Sequence, residues 1–132
     1  MRIIRDKEKV LYPDLSYSVC GMCFKVHNEL GQFRSEKQYG DAMESLLKRN
    51  CINFIREAKL PKSFEDEKEG RNVVDFIIDD KIILELKAKS IVTKDDYYQV
   101  MRYLTSTNKQ LAILVNFRRK TVQPKRIVNF YK

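Results

Sequence analysis

Apolar positions along the chain recur with two different spacings, and the change from one to the other divides it into elements. Cys20, Cys23, Phe24, His27 and Leu30 return every three or four residues, the period of one helical face. Asp14 or Ser16 can cap that helix, and Gly31 can stop it. A second helix is predicted from about Ser35 to Lys48, with Ser35-x-x-Gln38 as a capping box and Tyr39, Met43, Leu46 and Leu47 as its apolar face. From Ile52 to Leu60 the period shortens to two, with Ile52, Phe54, Arg56 and Ala58 on one face of a strand that Pro61 ends. The polar run SFEDEKEGR, 63–71, reads as a mobile connection.

Two short runs rich in Val and Ile follow, Val73–Ile78 and Ile82–Leu86, joined by Asp79-Asp80-Lys81. Thr93-x-x-Asp96 then opens a third helix, about Lys94 to Ser106, packed through Tyr97, Tyr98, Val100, Met101 and Leu104. Leu111 to Phe117 is almost wholly apolar, as in a strand buried on both faces. Arg118-Arg119-Lys120 forms a basic turn, and Arg126 to Tyr131 a last strand on the edge that Pro124 suits. A helix between strands joins parallel neighbours, so the expectation is one α/β domain, 1–132, with a mixed central sheet flanked by helices on both faces. Residues 1–13 read as a loose leading segment.

Charges stand inside the best core-forming segment: Asp75 in the first run of the hairpin, Glu85 and Lys87 at the end of the second. Ionised groups are almost never buried unless paired or bound to a metal. Glu85 and Lys87 share a face because side chains alternate along a strand. Asp75 reaches that face only in some registers. A two-residue loop at Asp79-Asp80 sets it opposite Leu84. A three-residue loop pairs Ile78 with Ile82 and sets Asp75 opposite Glu85. Asp-Asp is a poor two-residue hairpin turn, which favours the longer loop. Two carboxylates that close repel, and a divalent cation between them removes the penalty.

Composition narrows the partners. Lys and Arg number 26 against 18 Asp and Glu, a net charge of +8. Such a surface favours a polyanion, nucleic acid above all. No apolar run approaches the ~20 residues a membrane helix needs, and the N-terminus lacks a signal-peptide core, so a cytoplasmic location and no membrane partner are expected. Cys20, Cys23 and Cys51 are an odd set for disulfides. Cys20 and Cys23 lack the second pair of a structural zinc site, and a redox role would rest on thiol spacing alone. With His27 as the sole histidine, triad chemistry has no constellation.

Asp75, nine residues and then Glu85-Leu86-Lys87 resembles the D…ExK signature of the PD-(D/E)XK nuclease superfamily, the restriction-endonuclease-like fold. Gln99 and Tyr103 resemble the Q-x-x-x-Y motif of its RecB-like and phage-exonuclease-like branch, where the helix faces the metal site. FRSEKQY, 33–39, with VHNELG before it and VDFII, ELKA and LAILVNF after it, looks like the GxxExxY family. The likeness runs from about Tyr12 to Val128. Phe33 replaces the family's first Gly, and no Pro precedes Asp75.

The resemblance implies a Mg²⁺- or Mn²⁺-dependent nuclease that hydrolyses phosphodiester bonds, with DNA the expected substrate. Asp75, Glu85 and Glu36, with the carbonyl of Leu86, would hold the metal through hard oxygen ligands. Glu36 has a simpler explanation as well, since it lies in the first turn of its helix, where the dipole favours an acid. Lys87 would orient water or stabilise developing charge, with general base its lesser role. Gln99 would position the water or a ligand, and Tyr103 the backbone phosphate. Arg34, Lys37, Lys89, Lys94 and Arg102 lie on nearby elements and could meet flanking phosphates. The alternative is a nucleic-acid-binding or protein-interaction module that keeps the fold with weak or no catalysis. A homodimer or a protein partner would let so small a chain span a duplex.

Overall fold

The computed structural model describes residues 11–129. Most of the leading segment, and the last strand's expected end at Tyr131, lie outside them. Helices α1 (Pro13–Leu30) and α2 (Glu36–Arg49) are followed by strands β1 (Phe54–Lys59), β2 (Val73–Ile78) and β3 (Ile82–Lys87). Helix α3 (Lys94–Thr107), β4 (Leu111–Asn116) and β5 (Lys125–Val128) complete the order. The sheet runs β1-β2-β3-β4-β5. Only β3 and β4 are parallel among these neighbours, because α3 carries the chain back across the sheet between them. No helix among the described residues is long and apolar enough to cross a membrane.

Local chemistry sets most boundaries. Ser35 and Gln38 form the expected capping box of α2, and Thr93 and Asp96 that of α3. Helix α1 differs: neither Asp14 nor Ser16 caps it. Pro13 occupies its first turn and Tyr12 precedes it at φ 49° without a side-chain cap. Proline's fixed φ and missing N–H suit that position, so no cap is needed for it. Gly31, at φ 78°, ends the helix by donating to the His27 carbonyl. The segment 63–71 is not a plain connection either. The Glu67 carboxylate accepts from Ser63 N, Ser63 Oγ and Asn72 Nδ2, tying the loop's two ends together. β5 begins at Lys125, one residue before the expected start.

Two cores lie on opposite faces of the sheet. Against α1 and α2 pack Phe76, Ile78, Ile82, Leu84, Leu86, Ile113 and Val115. Against α3 pack Ile77, Ile83, Ala112, Leu114 and Ile127. The face that α1 buries is Val19, Met22, Cys23 and Val26, so Phe24 stands out in solvent. Tyr97 and Tyr98 are likewise exposed, and Val100, Tyr103 and Leu104 form the inner face of α3. Cys20 and Cys23 are free thiols, and burial pushes the Cys23 thiol far above its usual value, the environment of an inert cysteine. His27 Nε2 bonds the Arg119 carbonyl at 2.8 Å.

Tyr39 anchors the turn between the first two helices. Its ring stacks on Phe117 at 4.3 Å, and its hydroxyl donates to Gly31 O at 2.5 Å while accepting from Arg34 N at 3.2 Å. Tyr39→Phe keeps the stack and removes both hydrogen bonds of the turn. Urea unfolding of that variant is expected to show a loss of about 1–2 kcal/mol. A variant as stable as the parent would mean the hydroxyl does not hold the turn.

Candidate active site

The hairpin takes the longer loop. Ile78 pairs with Ile82, Ile77 with Ile83 and Phe76 with Leu84. Asp79 and Asp80 sit at φ 52° and 56°, a left-handed conformation that aspartate tolerates better than most residues, and Lys81 N returns to Ile78 O at 2.9 Å. One step beyond Phe76 and Leu84 the register sets Asp75 opposite Glu85, and there the backbone ladder stops. The carboxylates take its place: Asp75 N donates to Glu85 Oε1 at 2.8 Å, and Leu86 N donates to Asp75 Oδ2 at 2.7 Å. Each carboxylate thus spends one oxygen on the other strand's backbone and keeps the second uncommitted to it.

The ladder stops because β2 changes face. Phe76 and Ile78 pack into the α1–α2 core, but Val74, two residues earlier, packs into the α3 core. The same slip occurs on β1 between Phe54 and Ala58. Between them Glu57 stands at φ 52°, across from Asp75 in the β1–β2 register. The bent ribbon carries β2 away from β3 at the level of the acids.

On β3 the α3 face reads Ile83, Glu85, Lys87, so the second core gives way to charge toward the strand's end. Glu85 is only 5% exposed. Burial and the neighbouring Asp75 push its carboxyl up to about 8. Burial also raises Asp75, against the hydrogen bond from Leu86, and the charge of Glu36 adds to the rise. The pair is therefore an acidic site short of positive charge, with free oxygen ligands facing the shortage. That donor chemistry fits a hard divalent cation.

Lys87 Nζ lies 3.1 Å from Gln99 Oε1, 3.8 Å from Asp96 Oδ1 and 4.0 Å from Glu85 Oε2. Glu36, exposed at the start of α2, reaches the same strand end, where Ala88 N donates to its Oε2 at 3.3 Å. Tyr103 lies on the inner face of α3, with its phenol near the two acids. It is 4% exposed within the α3 core, and burial, then the charge of Glu85, lift its phenol to about 12. Lys89 is paired with Asp96 at 2.6 Å. Arg34, Lys37, Lys94 and Arg102 are exposed, with the Arg102 guanidinium over the Tyr103 ring at 6.0 Å. Among the described residues no three His, Cys, Asp or Glu side chains are already gathered as a metal-holding group, but the charge of Glu36 is near enough to raise both Asp75 and Glu85.

Asp96 is a residue the motif reading missed. Burial opposes its charge, but bonds from Lys89 and Thr93 and the nearness of Lys87 hold its carboxyl below the usual range. It caps α3 and at the same time gives Lys87 an anion. Its signal in the sequence, Thr93-x-x-Asp96, read only as a helix start. Asn116 on β4 was missed too: its amide binds Lys89 N and O, at 3.1 and 2.7 Å, fixing the chain just past Lys87.

The family model of the PD-(D/E)XK nuclease superfamily matches residues 13–127. Among solved structures, the crystal structure of SSO0001 is similar at 22% identity with a TM-score of 0.53, over 70% of this chain and 49% of that one. The chain thus spans about half the length of that relative. An alkaline exonuclease (LHK-Exo) from Laribacter hongkongensis aligns at 12% identity with a TM-score of 0.47, over 82% and 67% of the two chains. No curated protein matches the chain. At these identities the likeness is one of fold.

Glu85 makes the site's charge measurable. With a folded value near 8 against an unfolded one of 4.5, the folded chain holds a proton that the unfolded chain releases between those limits. Stability in EDTA should therefore fall as pH rises through that window, by at most about 5 kcal/mol. Glu85→Gln should remove that fall. Urea titrations at several pH values check it, and a wild type that gains stability across the window relative to Glu85→Gln would show Glu85 charged in the fold.

Proposed function

This chain belongs to the PD-(D/E)XK nuclease superfamily, and from that membership we propose that it is a Mg²⁺- or Mn²⁺-dependent nuclease hydrolysing phosphodiester bonds in DNA. On this reading it is a single-domain cytoplasmic enzyme of the GxxExxY branch. The observation that carries the reading is the Asp75–Glu85 pair: a half-buried and a buried carboxylate, bonded across a gap in the sheet, beside the ammonium of Lys87. A structural role alone would favour neutral residues there, since the pair raises its own proton affinity.

Asp75 and Glu85 would hold the cation through their uncommitted oxygens, with the Leu86 carbonyl completing the set and Glu36 contributing from the rim. A divalent ion there lowers the pKa of bound water and neutralises phosphate charge. Lys87 lies beside Asp96 and Glu85 and is aimed by Gln99, which suits stabilising charge on the phosphate and orienting the attacking water. Gln99 acts through Lys87. Tyr103 seals the floor beside Glu85. Arg34, Lys37, Lys94 and Arg102 steer and hold the flanking backbone, with Lys89 bracing Asp96. The alternative is a binding or interaction module with weak catalysis.

Asp75→Ala, Glu85→Ala and Lys87→Ala should each lower Mg²⁺-dependent cleavage of DNA by about a thousandfold or more. EDTA should abolish it. Mg²⁺ should raise the wild type's melting temperature and leave Asp75→Ala and Glu85→Ala unmoved, since a ligand stabilises only the state that binds it. Metal-independent melting with no cleavage of linear, circular or single-stranded DNA would favour the module.

Binding should depend on charge separately from chemistry. With net charge +8, DNA affinity of the wild type and of Lys87→Ala should fall together and steeply with salt. Salt-insensitive binding in an anisotropy titration would make nucleic acid the wrong partner.

A further inference from the structure

Beside the acids, on the β4–β5 side, lies a cavity of about 470 Å³ that the chemistry described so far leaves unused. It sits within the range of small-ligand sites. Its floor is Leu114 and Ile127, and its wall is Ile91 and Tyr97. Ile91 is 66% and Tyr97 43% exposed, an aliphatic and an aromatic side chain held in solvent at the mouth. Asn116 also lines it. In the parallel register Leu114 lies beside Glu85, and Asn116 beside Lys87, so the cavity abuts the candidate active site.

The charge around it has one sign. Lys94, Arg119, Lys125 and Arg126 line the cavity and no acid does. Arg126 is spoken for: its guanidinium donates to Ser16 Oγ and to Leu11 O. The side chains of Lys94, Arg119 and Lys125 make no ion pair or hydrogen bond among the described residues. Lys87 and Lys89, by contrast, are both matched by Asp96. Unmatched cations around an apolar, aromatic-walled recess, with Thr121 and Gln123 as hydrogen-bonding groups, suit a ligand that is anionic at one end and flat and apolar at the other.

We infer that this cavity is a nucleotide subsite, which takes an unpaired nucleotide of the substrate strand next to the scissile phosphate. The base stacks on Tyr97 over the Leu114–Ile127 floor, and its phosphates meet Arg119, Lys125 and Lys94. The inference rests on the nuclease reading for its place along the strand, but the binding it describes needs no cleavage. A paired base cannot reach the recess, so the site selects single-stranded or end-frayed nucleic acid over continuous duplex.

Fluorescence anisotropy in EDTA tests it, with three probes: single-stranded DNA of about 12 nucleotides, an abasic oligomer of equal phosphate number, and a blunt duplex whose ends are closed by hairpin loops. The expected result is tighter binding of the single strand than of the other two. Tyr97→Ala should weaken the single strand by roughly tenfold and leave the abasic oligomer unchanged. Tyr97 is at the surface, so the variant keeps its core. Arg119→Ala with Lys125→Ala should weaken the single strand and the abasic oligomer alike and reduce the salt slope by roughly 1.4. Lys62→Ala, on the far edge beyond β1, serves as the charge control. Equal binding of the single strand and the abasic oligomer by wild type, or pocket variants indistinguishable from Lys62→Ala, overturns the subsite. Mg²⁺-dependent cleavage by the wild type separates the two readings. Cleavage with those null results leaves the nuclease standing without the subsite, and base-dependent binding without cleavage leaves the subsite standing without the nuclease.

Discussion

The structure turns on a substitution of side chains for backbone at one rung of the sheet. Where Asp75 and Glu85 meet, their carboxylates accept the N–H groups that a ladder would otherwise pair. A buried amide without a partner would cost about 1–3 kcal/mol, so the acids are bound to this position by the need to satisfy the strands as well as by any ligand. The same two bonds leave one oxygen of each acid out of the ladder. Architecture and chemistry thus share the same four oxygens, which is why a charged pair persists at the end of an otherwise apolar hairpin.

The two cores determine what surrounds that rung. The α1–α2 core takes the even-numbered residues of β3 and anchors α2 so that Glu36 meets the strand's end. The α3 core takes Ile83 and then yields to Glu85 and Lys87. Because α3 begins with a Thr93–Asp96 box and follows β3 closely, its first turns bring Asp96 and Gln99 to Lys87. A cap that stabilises a helix end also sets an anion beside a lysine. Arg56, pinned by Asp41 and Glu44 and packed over Phe76, ties α2 to β1 beside the bend at Glu57.

Local pattern carried the elements well where one face was strongly apolar or a cap was written in neighbouring residues, as in α2, α3 and β4. It erred on which way single aromatics point. Phe24, Tyr97 and Tyr98 were counted as packing and stand exposed, because the helical stripe is wide and its centre is set by the sheet beneath it. Nor did it show the depth of Tyr103 or the pairing of Lys89 with Asp96. Each of these depends on residues distant in the chain, and no local period encodes them.

What the sequence by itself determined is the order of elements, the hairpin register and the gathering of Asp75, Glu85 and Lys87 at one strand end. A three-residue loop and a period of two suffice to set them, since both are local rules of backbone geometry. Only the tertiary structure decided how far those acids would be buried, and that Glu85 would hold a proton near neutral pH, because burial and charge repulsion are sums over the whole fold. It also decided the opening of β2 from β3. The left-handed Glu57 and the change of face at Val74 answer to two cores competing for one strand, and neither core exists until both helical layers close on the sheet.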